Sequence, residues 1–488
     1  MQYTSTRKEE CVQSAQAIAK GLSQSGGLYL PVEIPKLSEA DFKALKNANY
    51  IERANIVLSK FLTDFTAEEL SYCTSGAYSG SFENDEPAPV KKLDETLSVL
   101  ELWHGPTCAF KDLALQILPY LLTTSVKKID NGRQTVILVA TSGDTGKAAL
   151  EGFCDVDGVK IIVFYPSDGV SRMQKLQMDT QNGSNVSVCS IKGNFDDAQS
   201  AVKAIFSNTK LSEELKKQNM AFSSANSINF GRLVPQIVYY VSAYFDMGCP
   251  KEFNVVVPTG NFGNILAAFY AKQMNIPIKK LICASNKNKV LTDFINTGIY
   301  DRNRDFYSTS SPSMDILISS NLERLIYILN SSDEKSIVSM QNDLFNLGKY
   351  EVPKAVKEKI QSYFYGDFCD ESETKAAINK AFSKYNYLID THTAVAFGAY
   401  EKYVKNTGDK TKTLIVSTAS PYKFSSTVLD AIGEKASDDE FENLIMLNSK
   451  TGVPIPSPIS ALKDKPVRFN NVIDKSKMTD FVKKFLQI

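Results

Sequence analysis

Twice in this chain a run of apolar, largely β-branched residues stops at a glycine-rich turn and gives way at once to a helical pattern. Thr135-Val-Ile-Leu-Val-Ala140 leads through TSGDTG into Lys147-Ala-Ala-Leu-Glu-Gly-Phe153. Phe253-Asn-Val-Val-Val257 leads through PTGNFGN into Ile265-Leu-Ala-Ala-Phe-Tyr-Ala271. A strand without polar alternation has no solvent face, so it belongs in a parallel sheet covered by helices on both sides. The segments 160–165, 281–284 and 413–418 read as further strands of this kind. In such sheets ligands gather outside the carboxyl ends of the strands, where these glycine-rich turns would lie.

The length, 488 residues, predicts two to four structural units and an ample core. Lys plus Arg and Asp plus Glu balance at 55 each, so no general field draws the chain to nucleic acid or an anionic membrane. Any anion it binds must be held by a local site. The eight cysteines are scattered singly, with no CxxC pair, which argues against a zinc site or a dithiol redox motif and predicts buried, reduced thiols. The first residues lack the unbroken apolar core of a signal peptide, and Glu9-Glu10 argues against a transit peptide. No run approaches the roughly 18 apolar residues of a membrane helix. The expectation is a soluble cytoplasmic protein.

Residues 1–85 carry mostly amphipathic helical patterns, such as 50–62, and predict a helical cap. Residues 315–385 are again charged and helical and predict a helical insertion.

The stretch Leu102-Trp-His-Gly-Pro-Thr-Cys-Ala-Phe-Lys-Asp-Leu-Ala-Leu-Gln116 places Lys111 near a helix start behind apolar Ala109 and Phe110. Removing an ammonium from water lowers its pKa, which an imine-forming lysine requires; from composition alone, a surface cation is the simpler reading. TSGDTGK invites comparison with a phosphate-binding P-loop but lacks its glycine spacing and has Ala148 after the lysine. GNFGN after a strand suits an anion, because glycines let backbone amides approach and the next helix offers its positive end. The two histidines, His104 and His392, receive no role, and Asp390 and Thr391 are expected to cap a helix beginning at Ala394.

HGPT-x-AFKD-x-A-x-Q, at 104–116, resembles the cofactor-lysine signature of the threonine synthases, within the tryptophan-synthase-β-like class of pyridoxal-phosphate enzymes. Further similar segments follow the family's order: GGLYLP at 26–31, TSGDTG at 141–146, NSINFGR at 226–232 and PTGNFGN at 258–264. SPSMDILISSNLERL at 311–325, IDTHTAVA at 389–396 and STASPYKF at 417–424 complete the set. The resemblance spans nearly the whole chain. It implies an α/β, two-domain parallel-sheet fold with the helical cap and the helical insertion. The large cofactor-binding domain would comprise 86–134 and 223–488, and the small α/β domain 135–222.

The resemblance also implies pyridoxal 5'-phosphate held as a Schiff base on Lys111. Gly260, Asn261, Phe262, Gly263 and Asn264 would cradle the cofactor phosphate, and Thr418 would offer its hydroxyl to the ring nitrogen. Ser142, Asp144 and Thr145 would meet the substrate carboxylate, although relatives outside the threonine synthases usually carry asparagine where Asp144 stands. Ser227, Asn229 and Arg232 would meet the substrate phosphate. An arginine fork with hydroxyl and amide donors suits a phosphate dianion. The implied reaction converts O-phospho-L-homoserine and water to L-threonine and phosphate, with no metal; the oligomeric state is not implied. Two alternatives stay open: a phospholyase of the same fold releasing 2-oxobutyrate, and a non-catalytic pyridoxal-phosphate-binding protein.

Overall fold

The computed structural model describes residues 1–129, 132–167 and 170–488. Two sheets, one wholly and one mainly parallel, organise it. The larger has six strands in the spatial order Phe364–Phe368, Ile278–Ser285, Phe253–Pro258, Thr413–Ser417, Leu97–Glu101 and Val90–Lys92. All neighbours are parallel except the last pair, which is antiparallel. Every residue of Phe253–Pro258 and Thr413–Ser417 is buried, as expected for strands with helices on both faces. The smaller sheet is parallel throughout: Val472–Asp474, Val186–Lys192, Val159–Pro166, Gln134–Ala140 and Met220–Ser223.

Three expectations about organisation need correction. The N-terminal cap is not helix alone, since Tyr3–Ser5, Lys8–Val12 and Tyr29–Pro31 form a three-stranded antiparallel sheet. Its helical part follows the sequence pattern. Tyr50–Phe61 is closed by a capping box between Asn49 and Glu52 and buries Ala54, Val57, Leu58 and Phe61 on one stripe. The stretch 315–385 contains Phe364–Phe368, an edge strand of the larger sheet, between its helices. The end of the chain crosses to the smaller unit: Val472–Asp474 pairs with Val186–Lys192, and Met478, Val482 and Leu486 of the last helix join the core under that sheet. Its amphipathic face would otherwise be left against water.

The glycine-rich turns fall at the carboxyl ends of the strands. TSGDTG follows Gln134–Ala140, and TGNFGN follows Phe253–Pro258; NSINFGR follows Met220–Ser223, and Thr418 follows Thr413–Ser417. All eight cysteines are free, five of them buried and Cys11 exposed. Among the described residues no helix is long and apolar enough to cross a membrane.

Candidate active site

A cavity of about 1420 Å³ is lined by Lys111, Ser142, Thr145, Ser227, Arg232, Gly260 through Asn264 and Thr418. Segments up to about three hundred residues apart in the chain thus meet at one place, as the carboxyl-end rule anticipates.

Lys111 immediately precedes the short helix Asp112–Leu115 and is buried. Burial pushes its amine down to about 8, against the opposing pull of Asp144 and with help from Arg232 and Lys423. Its Nζ donates to Ser313 Oγ at 3.2 Å and lies 3.7 Å from Asp144 Oδ2. The segment is tied to the end of a strand, because the Phe110 amide donates to the Thr418 carbonyl at 2.8 Å.

TSGDTG closes on itself: Thr141 Oγ1 accepts from the amides of Gly143 and Gly146 at 3.0 and 2.9 Å. Gly143 has φ 140, and a Cβ there would meet the Gln174 side chain at 2.5 Å, so both conformation and space require glycine. Asp144 does not line the cavity. Its Oδ1 meets Lys423 Nζ at 2.5 Å and accepts from Gln174 Nε2 at 2.8 Å. Burial alone would raise this carboxyl, but Lys423 and Lys111 hold it well below the usual carboxylate range. Asp144 is therefore a fixed negative charge behind Lys111.

Neither Gly260 nor Gly263 has a positive φ; the left-handed residue is Phe262, at φ 59, which swings the chain into the helix Gly263–Gln273. Gly260 is required for space, since a Cβ there would stand 2.5 Å from the Ser313 carbonyl oxygen. At Gly263 a Cβ would find only ordinary contacts from 3.4 Å outward. The first-turn amides of this helix have no carbonyl partners within it. Asn264 adds a side-chain donor: the hydroxyls of Tyr239 and Tyr240 donate to its Oδ1 at 2.6 and 2.5 Å, while its buried Nδ2 has no partner.

Arg232 is 4% exposed. Its Nη1 donates to the Ala225 carbonyl at 2.9 Å, its Nε has no partner, and burial pushes the guanidinium down to about 10. No carboxylate partners it among the described residues. Ser227 Oγ accepts from Asn321 Nδ2, which also donates to the Asn261 carbonyl at 3.0 Å and so joins the two loops. Asn229, expected to meet the substrate, does not line the cavity. Its Nδ2 donates to the carbonyls of Ile18 and Ser224, and its Oδ1 accepts from the Gly231 amide. It caps the short helix Phe230–Leu233 and has no donor left for a ligand.

Four residues without an assigned role in the sequence reading also belong here: Ser313, His392, Lys423 and Gln174. His392 lines the cavity, pairs through Nδ1 with Asp390 Oδ2 at 2.8 Å and accepts the Ser313 amide at Nε2. Asp390 caps a helix that begins at Thr391, three residues before the expected start. His104 lies apart, between Glu83 and Glu101 at 2.9 and 2.8 Å. Burial pulls this imidazole down, but the two carboxylates raise it overall.

A buried lysine and an unsatisfied donor set between the two sheets define an enzyme site for an anionic carbonyl cofactor. The pyridoxal-phosphate dependent enzyme family matches residues 86–419, the threonine synthase N terminus matches 2–78, and the threonine synthase C-terminal family matches 393–484. The chain belongs to the threonine synthase family of pyridoxal-phosphate-dependent enzymes. It is 41% identical over 460 residues to threonine synthase-like 1 of Macaca fascicularis, covering 90% of this chain and 61% of that protein. The chain thus spans about six tenths of the vertebrate relatives' length. Threonine synthase of Eremothecium gossypii is 36% identical over 461 residues, covering 88% of this chain and 89% of that protein. The crystal structure of pyridoxal-phosphate-bound threonine synthase from Brucella melitensis superposes with a TM-score of 0.89 at 33% identity, covering 100% of both chains.

The residues present fit pyridoxal 5'-phosphate: Lys111 is buried with a lowered pKa, and Asn264 Nδ2 lacks a partner at the start of the helix Gly263–Gln273. Gly260→Val is expected to weaken cofactor affinity at least about tenfold, the size of one lost bond to a charged group. Equilibrium titration of the apoprotein with cofactor checks this; unchanged affinity would remove the loop from the cradle. Gly263→Ala should be milder, given the room around it.

Proposed function

We propose that this protein converts O-phospho-L-homoserine and water to L-threonine and phosphate. The observation that carries the reading is Arg232, a buried guanidinium without a carboxylate partner among the described residues. It lines the same cavity as a second anion cradle and a buried lysine. One cofactor needs one phosphate site; a second anion site supports a substrate that carries its own phosphate.

In this reading Lys111 holds the cofactor covalently, Gly260 to Asn264 hold its phosphate, and the Thr418 hydroxyl meets its ring nitrogen. Bound pyridoxal phosphate supplies an electron sink, which no side chain offers. Ser142 and Thr145, with the backbone amides of Asp144 and Thr145 at the start of the helix Asp144–Gly152, receive the substrate carboxylate. Arg232 and Ser227 hold the substrate phosphate before and after its bond to Cγ breaks. The Lys111 amine, released when the substrate's amine takes its place, is part neutral near pH 8 and takes the proton from Cα. Asp144 holds a counter-charge beside it while Lys423 and Gln174 prevent that carboxylate from turning away. The cytoplasm, a reducing compartment, suits the eight free cysteines.

Incubation with O-phosphohomoserine, followed by assays of threonine, 2-oxobutyrate and phosphate in the same tube, tests the reading. Threonine and phosphate should appear in equal amounts. Phosphate with 2-oxobutyrate would assign a phospholyase instead. Bound cofactor without any product would assign a non-catalytic binding protein.

A further inference from the structure

We infer that Ser313 is a positioning residue for the reaction, its hydroxyl holding the Lys111 amine in place through both of that amine's protonation states. The inference rests on the functional reading above and goes beyond it.

Two oxygens stand close to Lys111 Nζ: Ser313 Oγ at 3.2 Å and Asp144 Oδ2 at 3.7 Å. They are not equivalent. Asp144 is ionised and can only accept, and Lys423 and Gln174 already occupy its other oxygen. A base must be held when neutral as well as when charged. A serine hydroxyl does both, accepting from an ammonium and donating to the lone pair of a neutral amine. Arg232 and Lys423 also act on the lysine's charge, but neither can accept a hydrogen bond.

The serine is held independently of its hydroxyl. Its backbone amide donates to His392 Nε2 at 3.2 Å. Asp390 Oδ2 lies 2.8 Å from His392 Nδ1, so Nδ1 carries the ring proton and Nε2 is free to accept. The ring packs edge-on against Phe424, and the Ser313 carbonyl abuts Gly260 in the cofactor loop. The arrangement resembles a bracket: Asp390 orients His392, His392 fixes the serine backbone, and the hydroxyl is left to the lysine. Ser313→Ala removes only the hydroxyl and keeps these backbone contacts.

The test uses purified holoenzyme of the wild type, Ser313→Ala and Ser313→Thr. In Ser313→Ala, kcat on O-phosphohomoserine should fall at least about tenfold, with KM and cofactor occupancy within about twofold, the loss expected for one bond to a charged group. The acid limb of the kcat–pH profile should move down by about one unit, because the lost oxygen favoured the ammonium form. The pH midpoint of the bound cofactor's visible absorbance, read without substrate, should move in the same direction. Ser313→Thr should restore both within about threefold, since it returns the hydroxyl. Unchanged kcat, or a loss of kcat matched by a loss of occupancy with both pH midpoints unmoved, would overturn the inference while leaving the functional reading intact. A wild type whose cofactor borohydride cannot fix to Lys111 would overturn both.

Discussion

Lys111→Ala should leave a folded protein that cannot retain cofactor through denaturation after borohydride treatment, and whose turnover is at least about a thousandfold lower, within the range for losing a positioned acid–base group. Burial pushes the Lys111 amine down to about 8, which makes it competent to attack a carbonyl near neutral pH. Lys423 is more deeply buried, yet its ammonium is committed to Asp144 and to the Thr107 carbonyl. Removing Lys111 also releases Asp144 from one of its two cationic neighbours, while Lys423 keeps it ionised and the fold should survive. Mass spectrometry of the reduced, denatured variant provides the check. A cofactor adduct on any other residue would contradict the assignment.

The second large effect is expected at Arg232. Arg232→Met keeps much of the bulk and removes the guanidinium, so turnover on O-phosphohomoserine should fall between about tenfold and a hundredfold, the worth of a charge-assisted bond. Cofactor affinity should stay within about twofold, because the proposed reading gives the cofactor phosphate to GNFGN instead. A structural arginine behaves differently. Were this guanidinium an ion-pair partner, the variant would lose stability and cofactor together; only the Ala225 carbonyl is bonded to it, and no carboxylate among the described residues. Occupancy and turnover measured on one sample separate the cases, and equal losses would remove Arg232 from substrate binding.

Much of the site was legible because its parts are local. A strand, a glycine-rich turn and a helix are contiguous, so the sequence places GNFGN and TSGDTG at strand ends without any knowledge of packing. What failed was non-local or chemically ambiguous. Asn229 precedes a helix and sits in a matched motif, and an asparagine there can either cap or bind; its side chain is consumed by three backbone groups. Ser313 lies 202 residues from Lys111, and nothing in SPSMDI indicates where its hydroxyl points. Lys423 could have been suspected from its motif, but its pairing with Asp144 depends on two turns meeting in space. The left-handed turn of GNFGN falls on Phe262, a residue type that carries no signal for that conformation. The strands missed were short and polar, as in Lys-Glu-Glu-Cys-Val12, or embedded among helical patterns, as in Phe364–Phe368.

The return of the chain's last residues to the smaller sheet bears on how the molecule is made. Val186–Lys192 acquires its outer neighbour only from Val472–Asp474, roughly 280 residues later. During synthesis that strand leaves the ribosome with one row of amides and carbonyls unpaired, the kind of edge on which another chain can nucleate a sheet. Its apolar underside likewise waits for Met478, Val482 and Leu486. The smaller unit cannot finish folding as a contiguous piece, and such long-range closure is slow because chain entropy is lost before the contact forms. The nascent protein thus carries an aggregation-prone surface until residues 472–488 emerge, and that segment acts as its built-in cover.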